Sequence, residues 1–150
     1  MKKIKHPRTL KLKKNYIPKK QINDELEIYK NGIFNFFISK ILEDIENGIF
    51  TPKMERINIE KWKKTHCTND SLNEEHLKMV NTKKPIIQAE ISIDKFEIID
   101  GNHRFEKAFR DGKKTINSYK IYVEELIPYF YDQKGYECFV KYWNSKLDEL

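Results

Sequence analysis

The sequence predicts an α+β fold: a small mixed sheet packed by helices, with an added helix towards the N-terminus and another at the C-terminus. Three observations carry that expectation. Two long stretches, one early and one at the end, repeat apolar residues every three or four positions, the period of a helix with one buried face. Between them, short runs rich in β-branched and aromatic residues are bounded by Pro, Gly, Asn and Asp, which reads as strands and turns. The doublets Ile86-Ile87 and Ile98-Ile99 imply strands covered on both faces rather than an open antiparallel sheet.

Residues 1–20 hold nine Lys or Arg and no acid, with Pro7, Pro18 and little periodicity, so they read as a basic arm, extended or loosely docked. Ile4, Leu10, Leu12, Tyr16 and Ile17 offer anchors, and Leu10 with Leu12 suits a short edge strand. Residues 21–150 then form a single domain. Asn23 or Asp24 caps a helix running to about Asn47, with Leu26, Tyr29, Ile33, Phe37, Ile41 and Ile45 on its stripe. Gly32 is its weak point and Gly48 its stop. Arg56 to Trp62 alternates polar and apolar residues, a half-buried strand. Ser71 and Glu74 fit a capping box for a short helix burying Leu72, Leu77 and Val80. Strands follow at Pro85–Ile91, Phe96–Ile99 and Tyr119–Val123, with Thr115-Ile116 leading into the last. Pro128 breaks the pattern, and a final helix from about Gln133 aligns Tyr136, Phe139, Val140, Trp143 and Leu147.

The most informative stretch is Phe96 to Gly112. A strand ends at a polar turn, Asp100-Gly101-Asn102, and a helix begins whose apolar face is Phe105, Ala108 and Phe109, closed by Asp111-Gly112. His103 and Arg104 thereby fall in the first helical turn, where backbone N–H groups lack intrahelical partners. Gly101 permits a positive φ and close backbone approach. Arg104 offers a bidentate fork to phosphoryl oxygens. His103 changes charge near neutral pH. Asp100 suits a magnesium ion or a proton from an attacking hydroxyl. The plainer alternative is that Asp100 only shapes the turn and Arg104 pairs with a carboxylate. Glu60, on the expected first strand, is a candidate catalytic base across a cleft from Asp100. Lys61, Lys63 and Lys64 beside it would neutralise phosphates or simply face solvent. His66-Cys67 lacks a second ligand pair at zinc spacing.

Residues 77–122 resemble the ParB/sulfiredoxin family. Pro85-Ile86-Ile87 matches its P-I-V unit, Ile98-Ile99 with Gly101 to Arg104 its strand and G-x-x-R turn, and Ala108 and Gly112 the small helix residue and stop. The resemblance implies a ParB/sulfiredoxin-like fold and a nucleoside triphosphate, ATP or CTP, held with Mg²⁺. Gly101, Asn102, His103 and Arg104 would bind the phosphates. Asp100, His103 and Glu60 would be catalytic and Asp100 the metal ligand, for an NTPase or phosphotransferase. Asn102 stands where sulfiredoxins carry cysteine, so the turn offers no thiolate. Asp100-Gly101 keeps the Asp-Gly-x-x-Arg feature of phosphate-transferring members. The alternatives are a non-catalytic module binding nucleic acid or protein through residues 1–20, and a ParB-like nuclease.

Net charge is +6 over 150 residues, but the arm supplies the excess; the rest carries 20 basic (29 less 9) against 23 acidic residues. An arm of that kind suits nucleic-acid phosphates. No apolar run is long enough to span a membrane, and no secretory signal is expected. Two cysteines in unrelated contexts fit a reducing cytoplasm, and the family resemblance implies a protein of bacterial or phage style.

Overall fold

A computed structural model describes residues 6–17, 28–31, 34–66 and 72–150. It is a mixed α+β chain whose described residues form two compact units, the first Met1–Thr51, Glu90–Lys95 and Tyr122–Leu150, the second Pro52–Ala89 and Phe96–Ile121.

In the first unit, β1 (Ile28–Asn31) and β2 (Phe34–Phe37) pair antiparallel, Ile28 opposite Phe37 and Asn31 opposite Phe34. This corrects the expectation of one helix from residue 24 to 47. Among the described residues of that stretch, only α1 (Ile38–Glu46) is helical. The reason is local. Gly32-Ile33 stands between the paired residues Asn31 and Phe34, a glycine in the first place of a two-residue connection is a hairpin signal, and the aromatic run after it prefers a pleated, half-buried surface. The caps proposed at Asn23 or Asp24 lie outside the described residues. Towards the C-terminus come α5 (Val123–Leu126), a 3-10 turn (Ile127–Tyr129) containing Pro128, and α6 (Gln133–Asp148). Tyr136, Phe139, Val140, Trp143 and Leu147 of α6 are all buried, as its periodicity predicts. Phe36 packs on Phe130 with ring centroids 4.6 Å apart, and Phe130 on Phe139 at 5.0 Å.

Residues 6–17 belong to this unit and dock on α6 without forming the short edge strand. Leu10 donates its N–H to Asn144 Oδ1 at 2.9 Å and accepts from Asn144 Nδ2 at 3.0 Å. Lys13 N–H donates to the Tyr136 hydroxyl at 2.8 Å, and Gln133 Nε2 to the Lys14 carbonyl at 2.8 Å. Tyr16 is buried and stacks on Tyr136, centroids 4.1 Å apart. The Arg8 guanidinium grips the fully buried carboxylate of Glu90 through both terminal nitrogens and also pairs with Glu124. Trp143 Nε1 donates to the Arg8 carbonyl at 3.0 Å.

A four-stranded sheet has the order β3-β6-β4-β5, formed by β3 (Lys53–Asn58), β4 (Ile86–Ser92), β5 (Lys95–Asp100) and β6 (Thr115–Ile121); all of it belongs to the second unit except Glu90–Lys95, which falls in the first. β3 runs antiparallel to β6, and β4 parallel to it, so the sheet is mixed. β4 and β5 are linked by the turn Ile93-Asp94, too short for anything but a hairpin. β4 is buried along nearly its whole length, as its apolar doublet predicts. The predicted strand 56–62 ends early: Asn58 caps α2 (Ile59–Thr65), its side chain accepting from the Lys61 N–H. Ile57 and Ile59 alternate as in a strand, while Ile59 and Trp62, three apart, equally fit one face of a helix, and the cap decides it. α3 (Glu74–Met79) starts from Asn73, whose side chain accepts from the N–H groups of Glu75 and His76. Ser71, the expected cap, lies outside the described residues. α4 spans Asn102–Arg110. Ile57, Ile59, Ile86, Ile98, Phe105, Ala108 and Ile116 form one buried cluster with Trp62 against it.

Candidate functional site

The turn between β5 and α4 takes the form its residues require. Gly101 is the N-cap of α4 with φ 96°, ψ 25°, a left-handed conformation that L side chains rarely adopt. Space gives a second reason for glycine: a Cβ at 101 would sit 2.6 Å from Ile86 Cγ2, in the buried cluster. With no side chain at 101, no side-chain oxygen caps the helix, whereas α2, α3 and α6 each have an Asn or Asp that does. The first N–H groups of α4 are left to another acceptor.

Arg104 lies one turn into α4 and reaches back across the glycine. Its Nη2 donates to Asp100 Oδ2 at 2.8 Å, and the two side chains are 19% and 13% exposed. Its Nε is buried and has no hydrogen-bond partner. The carboxylate pairing weighed from the sequence as the plainer alternative is therefore present, and it engages one nitrogen of the fork. His103 turns towards α3: its Nε2 accepts the N–H of Asn73 at 3.1 Å, and its ring meets that of His76 edge-on at 4.5 Å. Burial, and then the neighbouring His76, lower the His103 pKa below the ordinary value. That favours the neutral ring, which the accepted hydrogen bond requires.

Asp100, Gly101 and Arg104 are thus brought together, whereas His103 faces α3, with Asn102 as the first residue of α4. Glu60 is not on a strand, as expected, but on α2. It is well exposed, pairs with Lys64 at 3.5 Å, and makes no hydrogen bond or ion pair with the turn. Lys63 is engaged too, with Glu106 at 3.2 Å and the Phe109 ring at 3.5 Å. His66 stacks on Trp62 with centroids 3.7 Å apart; Cys67 lies outside the described residues. Among the described residues no group of three or more His, Cys, Asp or Glu is placed to hold a metal ion.

A second feature went unread in the sequence although its spacing was visible. His103, Lys107 and Arg110 stand at i, i+4 and i+7 on α4, one stripe, and each holds α3. Besides the His103 contact, Lys107 Nζ donates to the Lys78 carbonyl at 3.2 Å, and Arg110 pairs with Glu74 at 2.6 Å. Leu77 is the one buried residue of α3.

Fold and turn together define the class: an α+β protein whose second unit carries an arginine-bearing strand–glycine–helix turn. No protein-family model, no curated protein and no solved structure matches the chain.

Proposed function

We propose that the Asp100–Arg104 turn binds the phosphates of a nucleoside triphosphate, in a domain of the ParB/sulfiredoxin-like kind. The state of Arg104 carries the reading. A guanidinium has five N–H donors in a planar fork; here Asp100 takes Nη2, Nε is buried, and Nη1 donates to no group among the described residues and is not buried. A phosphoryl group is the natural second acceptor, since its oxygens match the fork and charge-assisted bonds are roughly twice as strong as neutral ones. The uncapped start of α4 and its macrodipole add donors and positive potential at the same place. The element order supports the family-level reading, since α3, β4, β5, the G-x-x-R turn, α4 and β6 follow in the sequence expected of it.

Magnesium would come with the triphosphate. Asp100 is the turn's single carboxylate, and Mg²⁺ is commonly held by one or two carboxylates plus substrate phosphates; bound there, it would offset phosphate charge. The chain's own residues bind and orient: Arg104 neutralises charge, Gly101 lets the backbone approach, and Asp100 holds the guanidinium in place. Hydrolysis or transfer makes further demands, because His103 Nε2 already accepts from Asn73 and Glu60 lies outside this network.

Isothermal titration with ATP and CTP, with and without magnesium, tests the proposal. One-site heat is expected, weakened at least about tenfold by Arg104→Ala, since removing a charged hydrogen-bond donor costs roughly 1.5–3 kcal/mol. Absence of heat from both nucleotides, or affinity untouched by Arg104→Ala in a variant that unfolds normally, removes it.

A further inference from the structure

We infer that residues 10–15, pinned along α6, form an ordered cationic surface that binds nucleic-acid backbone without reading its sequence. This lies in the first unit and is independent of the nucleotide proposal. The argument starts from which atoms do the docking. Leu10, Lys11, Lys13 and Lys14 are held through main-chain N–H and C=O groups, by Asn144, Tyr136 and Gln133. The side chains of Lys11, Lys13 and Lys14 are left outside, exposed, and none of the three has a carboxylate partner among the described residues. Unpaired ammonium groups on a fixed backbone pay less ordering entropy on meeting a polyanion than the same groups on a loose tail.

The kind of cation narrows the partner. The one arginine of the described segment, Arg8, is committed to Glu90 and Glu124, so the exposed charges are all lysines. Lysine is a hydrated point charge on a flexible stem, without the rigid planar fork of arginine. Several lysines side by side suit a repeating line of phosphates, where each contact contributes through counterion release. The sequence around them adds charge of the same sign: residues 1–20 hold six further Lys or Arg, Arg8 included, and no acid. Leu12 and Ile17 are also exposed, 37% and 79%, so an anionic lipid surface is the competitor the experiment must separate.

The test is fluorescence anisotropy of two unrelated labelled DNA duplexes with the full chain, across a salt series. The comparison variant is Lys11→Gln, Lys13→Gln, Lys14→Gln, which leaves every docking bond intact because those bonds use backbone atoms. Both duplexes should bind equally. The variant should lower the steepness of log K against log salt by about 2.7, at roughly 0.9 per phosphate contact, which is on the order of several hundred-fold in affinity at 0.1 M salt. A control, Lys83→Gln with Lys84→Gln, should leave the slope unchanged. An unchanged slope in the triple variant, an equal loss in the control, or no duplex binding overturns the inference. So does binding to phosphatidylserine-containing vesicles in preference to either duplex.

Discussion

Replacing Gly101 with alanine separates the two reasons for glycine at the turn. The backbone term is the cost of holding an L-residue at φ 96°, roughly 1–2 kcal/mol. The packing term comes from the added methyl group. It would stand 2.6 Å from Ile86 Cγ2, and Ile86 is fully buried among the isoleucines and Phe105 of the cluster, so it has nowhere to retreat. Inserting one carbon into such a core costs about 1–3 kcal/mol. The Arg104 nitrogens at 2.9 and 3.0 Å terminate a flexible side chain and can swing away, at the expense of the Asp100 pair. Together the loss is about 2–5 kcal/mol. Gly112→Ala is the matched control, because φ is 76° there and nothing lies within 4 Å of the added carbon, leaving the backbone term alone. Urea unfolding followed by tryptophan fluorescence measures both. With m near 1–3 kcal/mol/M, a packing term of about 2 kcal/mol should cost the Gly101 variant roughly 1 M of midpoint more than the Gly112 variant. Equal losses would refute the claim that Ile86 closes the space above the turn.

Three further outcomes follow from charges and buried hydroxyls. Burial works to raise the Glu90 pKa, but hydrogen bonds from Arg8, Asp94 N–H and Val123 N–H outweigh it and hold the carboxyl below its ordinary value. A lowered folded pKa contributes stability that is present above the ordinary carboxylate range and lost as pH falls through the folded value; Arg8→Ala should therefore unfold at higher pH in an acid titration, and an unmoved midpoint would contradict the role of the pair. The His103 ring, with its folded pKa lowered, should titrate below about 6.5 by NMR, and its share of stability should disappear as pH falls through that midpoint; titration above 6.5 would deny the acceptor role of Nε2. Tyr129 donates its hydroxyl to the buried Asp44 carboxylate at 2.6 Å, so Tyr129→Phe should cost about 1.5–3 kcal/mol in thermal unfolding, and a loss under 0.5 kcal/mol would show that other donors suffice.

The site stretch was legible because nearly every residue there obeys a local rule; Phe109, expected on the apolar face with Phe105 and Ala108, is instead 44% exposed, with Lys63 over its ring. The strand, the left-handed glycine, the helix stripe of Phe105 and Ala108 and the stop at Gly112 need no distant partner to be read. The errors fall where a local signal fits two elements. Leu26 to Ile45 satisfies a helical stripe throughout, yet Gly32-Ile33 and the Phe34–Phe37 run make residues 28–37 a hairpin, and turn chemistry outranked periodicity. Ile57 and Ile59 alternate as in a strand, but the Asn58 cap starts a helix between them and carries Glu60 away from the turn. Contacts between residues far apart in sequence, such as Arg8 with Glu90 or Asn73 with His103, left no trace in spacing. The basic stripe of α4 did leave one, in His103, Lys107 and Arg110.

That stripe has a bearing on motion. A six-residue helix cannot persist alone in water, and α3 has a single side chain, Leu77, in the core. Its persistence is therefore rented from ions and dipoles that dissolved salt competes for. As ionic strength rises, amide hydrogens of Glu74 to Met79 should exchange with solvent ahead of those in β4, and the opening would bare the three side chains of α4 that hold α3, His103, Lys107 and Arg110.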